Sequence, residues 1–479
     1  MTAQPALITT TRPARDAITH FETALRGDLI QPHDPNYDDA RAVYNAMIDK
    51  RPALIARCAD IADVIATVSF AREQGMELAV RGGGHNGAGL GTIDGGVVLD
   101  LSALKGIRVD AVARTVRVEG GCTWNEVDHA THPFGLATPS GTVSSTGVGG
   151  LTLGGGIGHL SRKYGLTIDN LLSADVVLAD GSLVTASADE HPDLFWALRG
   201  GGGNFGVVTS FLFRLHPVDT IIGGLTLWPL DQAAGVMRWY SDFIVQAPED
   251  LSGFFAFMTI PPVPLFPEEL HLKKVCGVVW CYTGSPERAD DVFAPIRAFG
   301  PPVLDGIQPM PYPALTSAFD ALIPSGLQWY WKADFVRELP DEAIARHVEH
   351  AAKMPTPLSG VHLYPIDGAV RRTGRNDTAF SYRDATWAEV IYGVDPDPAN
   401  AGAITTWAKE YWNAVHPFAA EGAYVNMMME EGQGRIRAAY RDNYDRLAAI
   451  KAQYDPTNLF RVNQNIRPAV AATASPSTP

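Results

Sequence analysis

The sequence predicts an α+β protein in two parts, and three observations carry that expectation. Strand-like and helix-like runs alternate through a glycine-rich first half. Glycine thins out after about Pro217 while aromatics and prolines rise. The length of 479 residues exceeds one ordinary domain.

The elements follow in order. Residues 60–73 (DIADVIATVSFARE) carry apolar side chains at helical spacing, and Leu78–Val80 reads as a short strand emptying into RGGGHNGAG. Gly96–Leu101, Thr115–Val118 and Ala174–Ala179 are β-branched and apolar, and Asp180-Gly181 before Ser-Leu-Val marks a hairpin turn. Beyond Pro217, Lys274–Tyr282, Leu327–Val336, Ser359–Tyr364 and Ala388–Tyr392 suggest a sheet, flanked by helices over Pro340–Ala351 and Ala403–Val415. A charged amphipathic helix is expected from Gly434 to Gln453, ahead of YDPTNLFRVNQNIRP. The small-residue tail 469–479 is expected to be disordered.

Charge and cysteine usage narrow the function. With 38 Lys and Arg against 53 Asp and Glu the formal charge is −15, and no basic stripe offers a footprint for nucleic acid. The first residues hold no apolar run suited to a signal, and no later run is long enough to cross a bilayer, so a cytoplasmic, non-membrane protein is expected. Cys58, Cys122, Cys276 and Cys281 have neither CxxC spacing nor disulfide density, and no HExxH or His/Cys cluster supports a metal site.

Three glycine-rich segments carry the chemistry. In Arg81-Gly82-Gly83-Gly84-His85-Asn86 the glycines let the backbone approach a bulky anion and turn successive N–H groups into one concavity, with Arg81 adding charge. The segment has neither the GxGxxG spacing of a dinucleotide fingerprint nor the Gly-Lys-Ser/Thr of a P-loop, which counts against nicotinamide cofactors and ATP. The tract from Pro139 to Gly165 interleaves Val148, Leu151, Leu153, Ile157 and Leu160 with glycines, as expected of backbone wrapped around a ligand rather than of a linker. Arg199-Gly-Gly-Gly-Gly-Asn204-Phe205-Gly206-Val207-Val208 is a further glycine turn feeding a strand.

Taken together, RGGGHN, SGTVSSTGVGGLTLGGGIGHLSRKYGLTIDNL, DLFWALRGGGGNFGVV and YDPTNLFRVNQNI resemble the berberine bridge enzyme-like branch of the vanillyl-alcohol-oxidase flavoproteins, over roughly residues 40–215 and 420–468. The resemblance implies an FAD-binding α+β domain built from both chain ends (1–217 and 420–468) and an inserted substrate domain (218–419) with an antiparallel sheet. It implies FAD joined covalently to His85. Relatives often attach the flavin a second time through a cysteine in a GxC element; here Gly141-Thr142-Val143 stands in its place, so attachment is expected to be single. Cofactor contacts are expected from Arg81, Gly82, Gly83, Gly84, His85, Asn86, Ser140, Gly141, Thr142, Ser145, Thr146, Gly149, Gly155, Gly206 and Val207, and from Asn463 and Asn465 near the flavin ring.

Flavin oxidation of an alcohol or amine calls for a base near the donor carbon. The resemblance assigns that role to Tyr424 of Tyr424-Val425-Asn426, and Glu389 on the strand WAEVIY is the reserve. Trp329, Trp331, His362, Tyr364, Trp387 and Tyr392 are candidate pocket walls. Gly141, small and beside the flavin by resemblance, suggests space for oxygen. The expected activity is hydride transfer from a small organic substrate to flavin N5, with O2 as acceptor and H2O2 as product. The alternatives are a dehydrogenase with another acceptor and a flavin-binding protein without turnover.

Overall fold

The computed structural model describes residues 13–470, so the proposed tail lies outside the described residues beyond Val470. The first half folds into two sheets. In one, Asp28–Ile30, Leu54–Arg57, Val97–Asp100 and Leu78–Arg81 lie side by side, with parallel pairing on both flanks of Val97–Asp100. Leu54, Val97, Val98 and Leu99 are wholly or almost wholly buried, as expected of central parallel strands. Helix Ile61–Glu73 covers this sheet, and the Asp60 carboxylate caps it by accepting from the Asp63 N–H at 3.1 Å.

The second sheet is antiparallel, in the order Ile107–Asp110, Thr115–Glu119, Val207–Arg214, Leu171–Val177, Leu183–Ser187. The turn after Leu171–Val177 is the one expected: Gly181 takes φ +89° and the Leu178 N–H donates to the Ser182 carbonyl at 2.9 Å.

Residues beyond Thr220 build the large sheet, eight strands with every pairing antiparallel. Its centre runs Thr220–Pro229, Lys274–Tyr282, Leu251–Thr259, Gly360–Pro365, Trp387–Asp395, Gln328–Val336. Strand alternation divides its two faces. Trp387, Ile391, Val361 and Leu363 face helices Ala233–Gln246, Asp341–Ala351 and Ala401–Val415, while Val390, Trp329, Trp331 and Tyr364 face the opposite way, toward Leu160, Leu166 and Tyr44 of the first half. No described helix is long and apolar enough to cross a membrane.

One expected element differs. The single helix over 434–453 is two helices, Gly432–Tyr440 and Asn443–Tyr454, broken where Arg441 takes φ +49° and its guanidinium pairs with Asp384 at 2.7 Å.

A buried clasp ties the C-terminal segment to the glycine turn at Asn204. Lys451 Nζ donates to Asp455 (2.5 Å) and to the carbonyls of Asn204 (2.6 Å) and Phe460 (2.9 Å), with both charged side chains fully buried. Asp455 also accepts the N–H groups of Leu459 and Phe460. Asn458 turns the chain at φ +56°, the role its place in DPTNLF suggests.

Candidate functional site

Strand Leu78–Arg81 ends where a trough of about 300 Å³ begins. Gly82, Gly83, Gly84, His85 and Asn86 line it, and among the described residues none of their five backbone N–H groups donates to a protein acceptor. Unspent donors facing a cavity are what an anionic ligand needs. Loop and glycine tract meet backbone to backbone, since a Cβ on Gly83 would stand 2.5 Å from Gly147. Gly150 and Gly203 also line the trough, and a Cβ on either meets no protein atom within 4 Å. Their missing side chains are therefore space left open to the cavity.

His85 is held on two sides. The Tyr44 ring stacks on its imidazole, and Ser145 Oγ lies 3.2 Å from Nε2. Burial pushes the imidazole pKa down to about 4, so the ring is neutral at physiological pH with a lone pair available for bonding. Neighbouring Asn45 is fully buried: its amide nitrogen donates to the carbonyls of Gly87 and Trp329, and its oxygen accepts from the Trp329 N–H. It pins the histidine loop to the large sheet. Nothing in the local pattern of Tyr44 and Asn45 separates them from ordinary core residues, so sequence reasoning missed both.

The C-terminal segment closes the trough. Asn204 donates to the Gln464 carbonyl and accepts from the Ile466 N–H, which brings Asn463 and Gln464 to the wall. Asn463 Oδ1 is buried without a partner.

A second cavity, of about 170 Å³, opens from the trough toward the large sheet. His85, Thr142, Val143, Trp331, Tyr364 and Met427 line both, which marks the junction. Trp329, Trp331, His362, Tyr364 and Tyr392 line the chamber. His362 joins two phenols, Nδ1 to Tyr364 at 2.7 Å and Nε2 to Tyr392 at 2.8 Å. Burial lowers its pKa to about 3.

Tyr424 lies along the trough, where its phenol oxygen accepts from the Gly156 N–H (2.9 Å) and from Asn426 Nδ2 (2.8 Å). Two donors favour a phenolate, yet burial outweighs them and pushes the pKa up to about 12.

Several expected positions are corrected. Glu389 lies on the helix-facing side of its strand, 3.7 Å from His347; burial, then the charge of Asp334, holds its carboxyl well above the usual range, and it lines neither cavity. Trp387, two residues away on the same face, packs in the helix-side core instead of the chamber. The Arg81 guanidinium is spent on Asp100 (2.9 Å) and the Ala40 carbonyl, so it anchors the loop and adds no free charge. Ser140 faces Tyr312, and Gly155 sits behind Tyr424, where a Cβ would press on Phe380. Val207 buries its side chain against the first sheet, leaving Val208 to line the trough. Asn465 is absent from the wall that Asn463 and Gln464 form. The remaining expected contacts, Gly141, Thr142, Thr146, Gly149 and Gly206, line the trough, and Ser145 reaches it through His85.

Among the described residues no group of three or more His, Cys, Asp or Glu is placed to hold a metal ion. Cys122 is fully buried, and its thiol is pushed up to about 12 by burial, as fits a packing residue.

Comparison with known proteins places these features in company. Residues 52–187 match the FAD binding domain family, and residues 423–467 match the berberine and berberine-like family. The chain is 31% identical over 460 residues to an FAD-linked oxidoreductase of Dictyostelium discoideum, covering 95% of this chain and 98% of the relative. It is 31% identical over 461 residues to (R)-6-hydroxynicotine oxidase of Paenarthrobacter nicotinovorans, covering 93% and 97%. The crystal structure of 6-hydroxy-D-nicotine oxidase from Arthrobacter nicotinovorans superposes with TM-score 0.82 at 27% identity, covering 93% of this chain and 98% of that one. Glucooligosaccharide oxidase from Acremonium strictum, described with a 6-S-cysteinyl, 8α-N1-histidyl FAD, shares the fold at TM-score 0.84 and 23% identity, covering 95% of this chain and 100% of that one.

Proposed function

The chain belongs to the berberine-like FAD-linked oxidoreductases, and from that premise we propose that it is an oxidase carrying FAD on His85 and oxidising a small organic molecule seated in the chamber. The observation that carries this reading is the junction itself: the one histidine of the glycine loop lines both the trough and the aromatic chamber. The trough suits the cofactor on its own terms. Five unspent N–H donors match a pyrophosphate, Gly150 and Gly203 leave room where a Cβ would intrude, and the orphaned Asn463 oxygen awaits a donor.

FAD held in the trough would supply a hydride acceptor whose reoxidation by O2 would yield H2O2. The protein does the rest. His85 offers a neutral ring nitrogen, with Ser145 engaged at Nε2 and Tyr44 covering one face. The backbone N–H groups of Gly82 to Asn86 would hold the cofactor's anionic part. Val143 stands in place of a cysteine at the junction, so a second, thioether attachment has no sulfur to use. Tyr424 is the proposed base: only its phenolate can take the substrate proton, and Gly156 N–H and Asn426 Nδ2 are the donors that would stabilise that anion against the burial that opposes it. The apolar rings of Trp329, Trp331 and Phe254 in the chamber wall would limit water at the exchange.

A dehydrogenase with a non-oxygen acceptor is the second reading, and one contact favours it. A Cβ on Gly141 would stand 2.6 Å from Leu151 Cδ1, so a methyl group already fills the space that a small residue would leave for oxygen. One experiment separates the two. Anaerobically reduced protein is mixed with aerated buffer while absorbance and peroxide are followed. An oxidase recovers its yellow colour within seconds with one peroxide per flavin; protein that stays bleached until an artificial acceptor is added is a dehydrogenase.

A further inference from the structure

The chamber's chemistry narrows its occupant. Among the described residues that line it none is Asp, Glu, Lys or Arg, and its polar end is the trio Tyr364, His362 and Tyr392. We propose that Tyr364, backed by His362 and Tyr392, is the residue that selects the substrate, and that the chamber takes an uncharged ring compound whose oxidisable carbon bears a hydroxyl.

Hydrogen-bond counting supports the hydroxyl. A neutral imidazole has one N–H donor and one acceptor nitrogen. With both ring nitrogens bonded to phenols, at 2.7 and 2.8 Å, one tyrosine must donate to the ring and the other accept from it. Whichever nitrogen holds the proton, one phenol O–H of the trio is not used by His362, and phenol lone pairs remain to accept. A hydroxyl, being donor and acceptor at once, satisfies either arrangement. Tyr364 is the member placed to use this, because it alone of the three lines the trough as well as the chamber.

Charge supports the uncharged class. A cation or carboxylate brought here loses its hydration with no opposite charge in the wall to replace it. The rings of Trp329, Trp331 and Tyr392 would offer a cation some attraction. That attraction is set against the full cost of stripping water from the charge in a wall with no carboxylate. A polyol fares no better: His362 has no free nitrogen, and beyond the trio the hydroxyl side chains of the wall are Tyr44, Thr142, Thr146, Thr259 and Ser359, few for an oligosaccharide. Planar apolar surface is what Trp329, Trp331, Phe254 and Tyr392 accommodate.

This inference rests on the reading that the trough holds the flavin, so its test measures binding separately from turnover. Holoenzyme is titrated with 1-phenylethanol, 1-phenylethylamine, mandelate, ethylbenzene and cellobiose at pH 7, following the perturbation of flavin absorbance, and peroxide release is measured in parallel. The neutral alcohol is expected to bind at least about tenfold more tightly than the amine, the acid or cellobiose. Tyr364→Phe is expected to weaken the alcohol roughly tenfold while leaving ethylbenzene unchanged, which a packing defect would not do. Equal or tighter binding of amine, acid or cellobiose overturns the proposal. So does failure of every ring compound to bind, or a Tyr364→Phe variant that weakens ethylbenzene as much as the alcohol. Selective binding of the alcohol without peroxide release upholds this inference and counts against the oxidase reading instead.

Discussion

Tyr44 lies flat on His85, the ring centroids 3.8 Å apart and the planes 19° from parallel, while its hydroxyl donates to the Ile323 carbonyl at 2.6 Å. The phenol thus fixes the imidazole plane before any ligand arrives. Tyr44→Ala should slow covalent flavin attachment by about two- to tenfold, from the loss of roughly 0.5–1.5 kcal/mol of stacking, and Tyr44→Phe should retain most of the rate. In-gel flavin fluorescence over time after adding FAD to apoprotein reads this directly; equal rates for all three proteins would dismiss the buttress.

Gly150 separates ligand space from folding space. It sits in helix Val148–Leu153, and a Cβ there touches no protein atom within 4 Å. Gly150→Ala should therefore fold at least as well as the parent, with helix propensity adding up to about 1 kcal/mol to the apoprotein. Its flavin content should nevertheless fall, because the methyl enters the trough. Thermal melts beside flavin-to-protein ratios test both halves, and full flavin loading in this variant would move the cofactor elsewhere.

The Lys451–Asp455 clasp should dominate the stability of the C-terminal segment. Asp455→Ala strands a buried ammonium and should cost about 3–5 kcal/mol, visible in denaturant melts. Lys451→Met with Asp455→Leu should recover part of that loss, since no unpaired charge remains.

Asp128 should make stability fall with rising pH. Burial raises its pKa to about 7, against a hydrogen bond from Thr316 at 2.8 Å that pulls it down. The folded state thus binds the proton more tightly than the unfolded one. The stabilisation is complete below about pH 4, where both states are protonated, and is lost as pH climbs toward 7. Asp128→Asn removes the titration, so it should raise the melting temperature at pH 8 and change it little at pH 4. An equal shift at both values would mean that Asp128 does not titrate in this window.

Much of this was legible in the sequence because backbone constraints write themselves as glycine. Gly83 and Gly147 touch, Gly181 turns a hairpin, and the order of motifs marked the family before any geometry was known. The strands of the large sheet were legible from β-branched and aromatic runs, but which face each residue occupies was not fully used. Trp387 and Tyr392 are five apart on one strand, so they point to opposite sides and cannot share one wall. Glu389 failed for the same reason. Long-range partners were out of reach: nothing local announces that Asp100 neutralises Arg81, that Tyr44 covers His85, or that Arg441 breaks the C-terminal helix to meet Asp384.

A covalent bond between FAD and His85 underlies the proposed function, and acid precipitation reads it out. Purified protein is denatured, precipitated and washed, and the peptide containing residue 85 is weighed by mass spectrometry. A flavin bonded to His85 gives a yellow pellet and a peptide heavier by one FAD, with both lost in His85→Ala. A colourless pellet, all flavin in the supernatant and an unmodified peptide would contradict it.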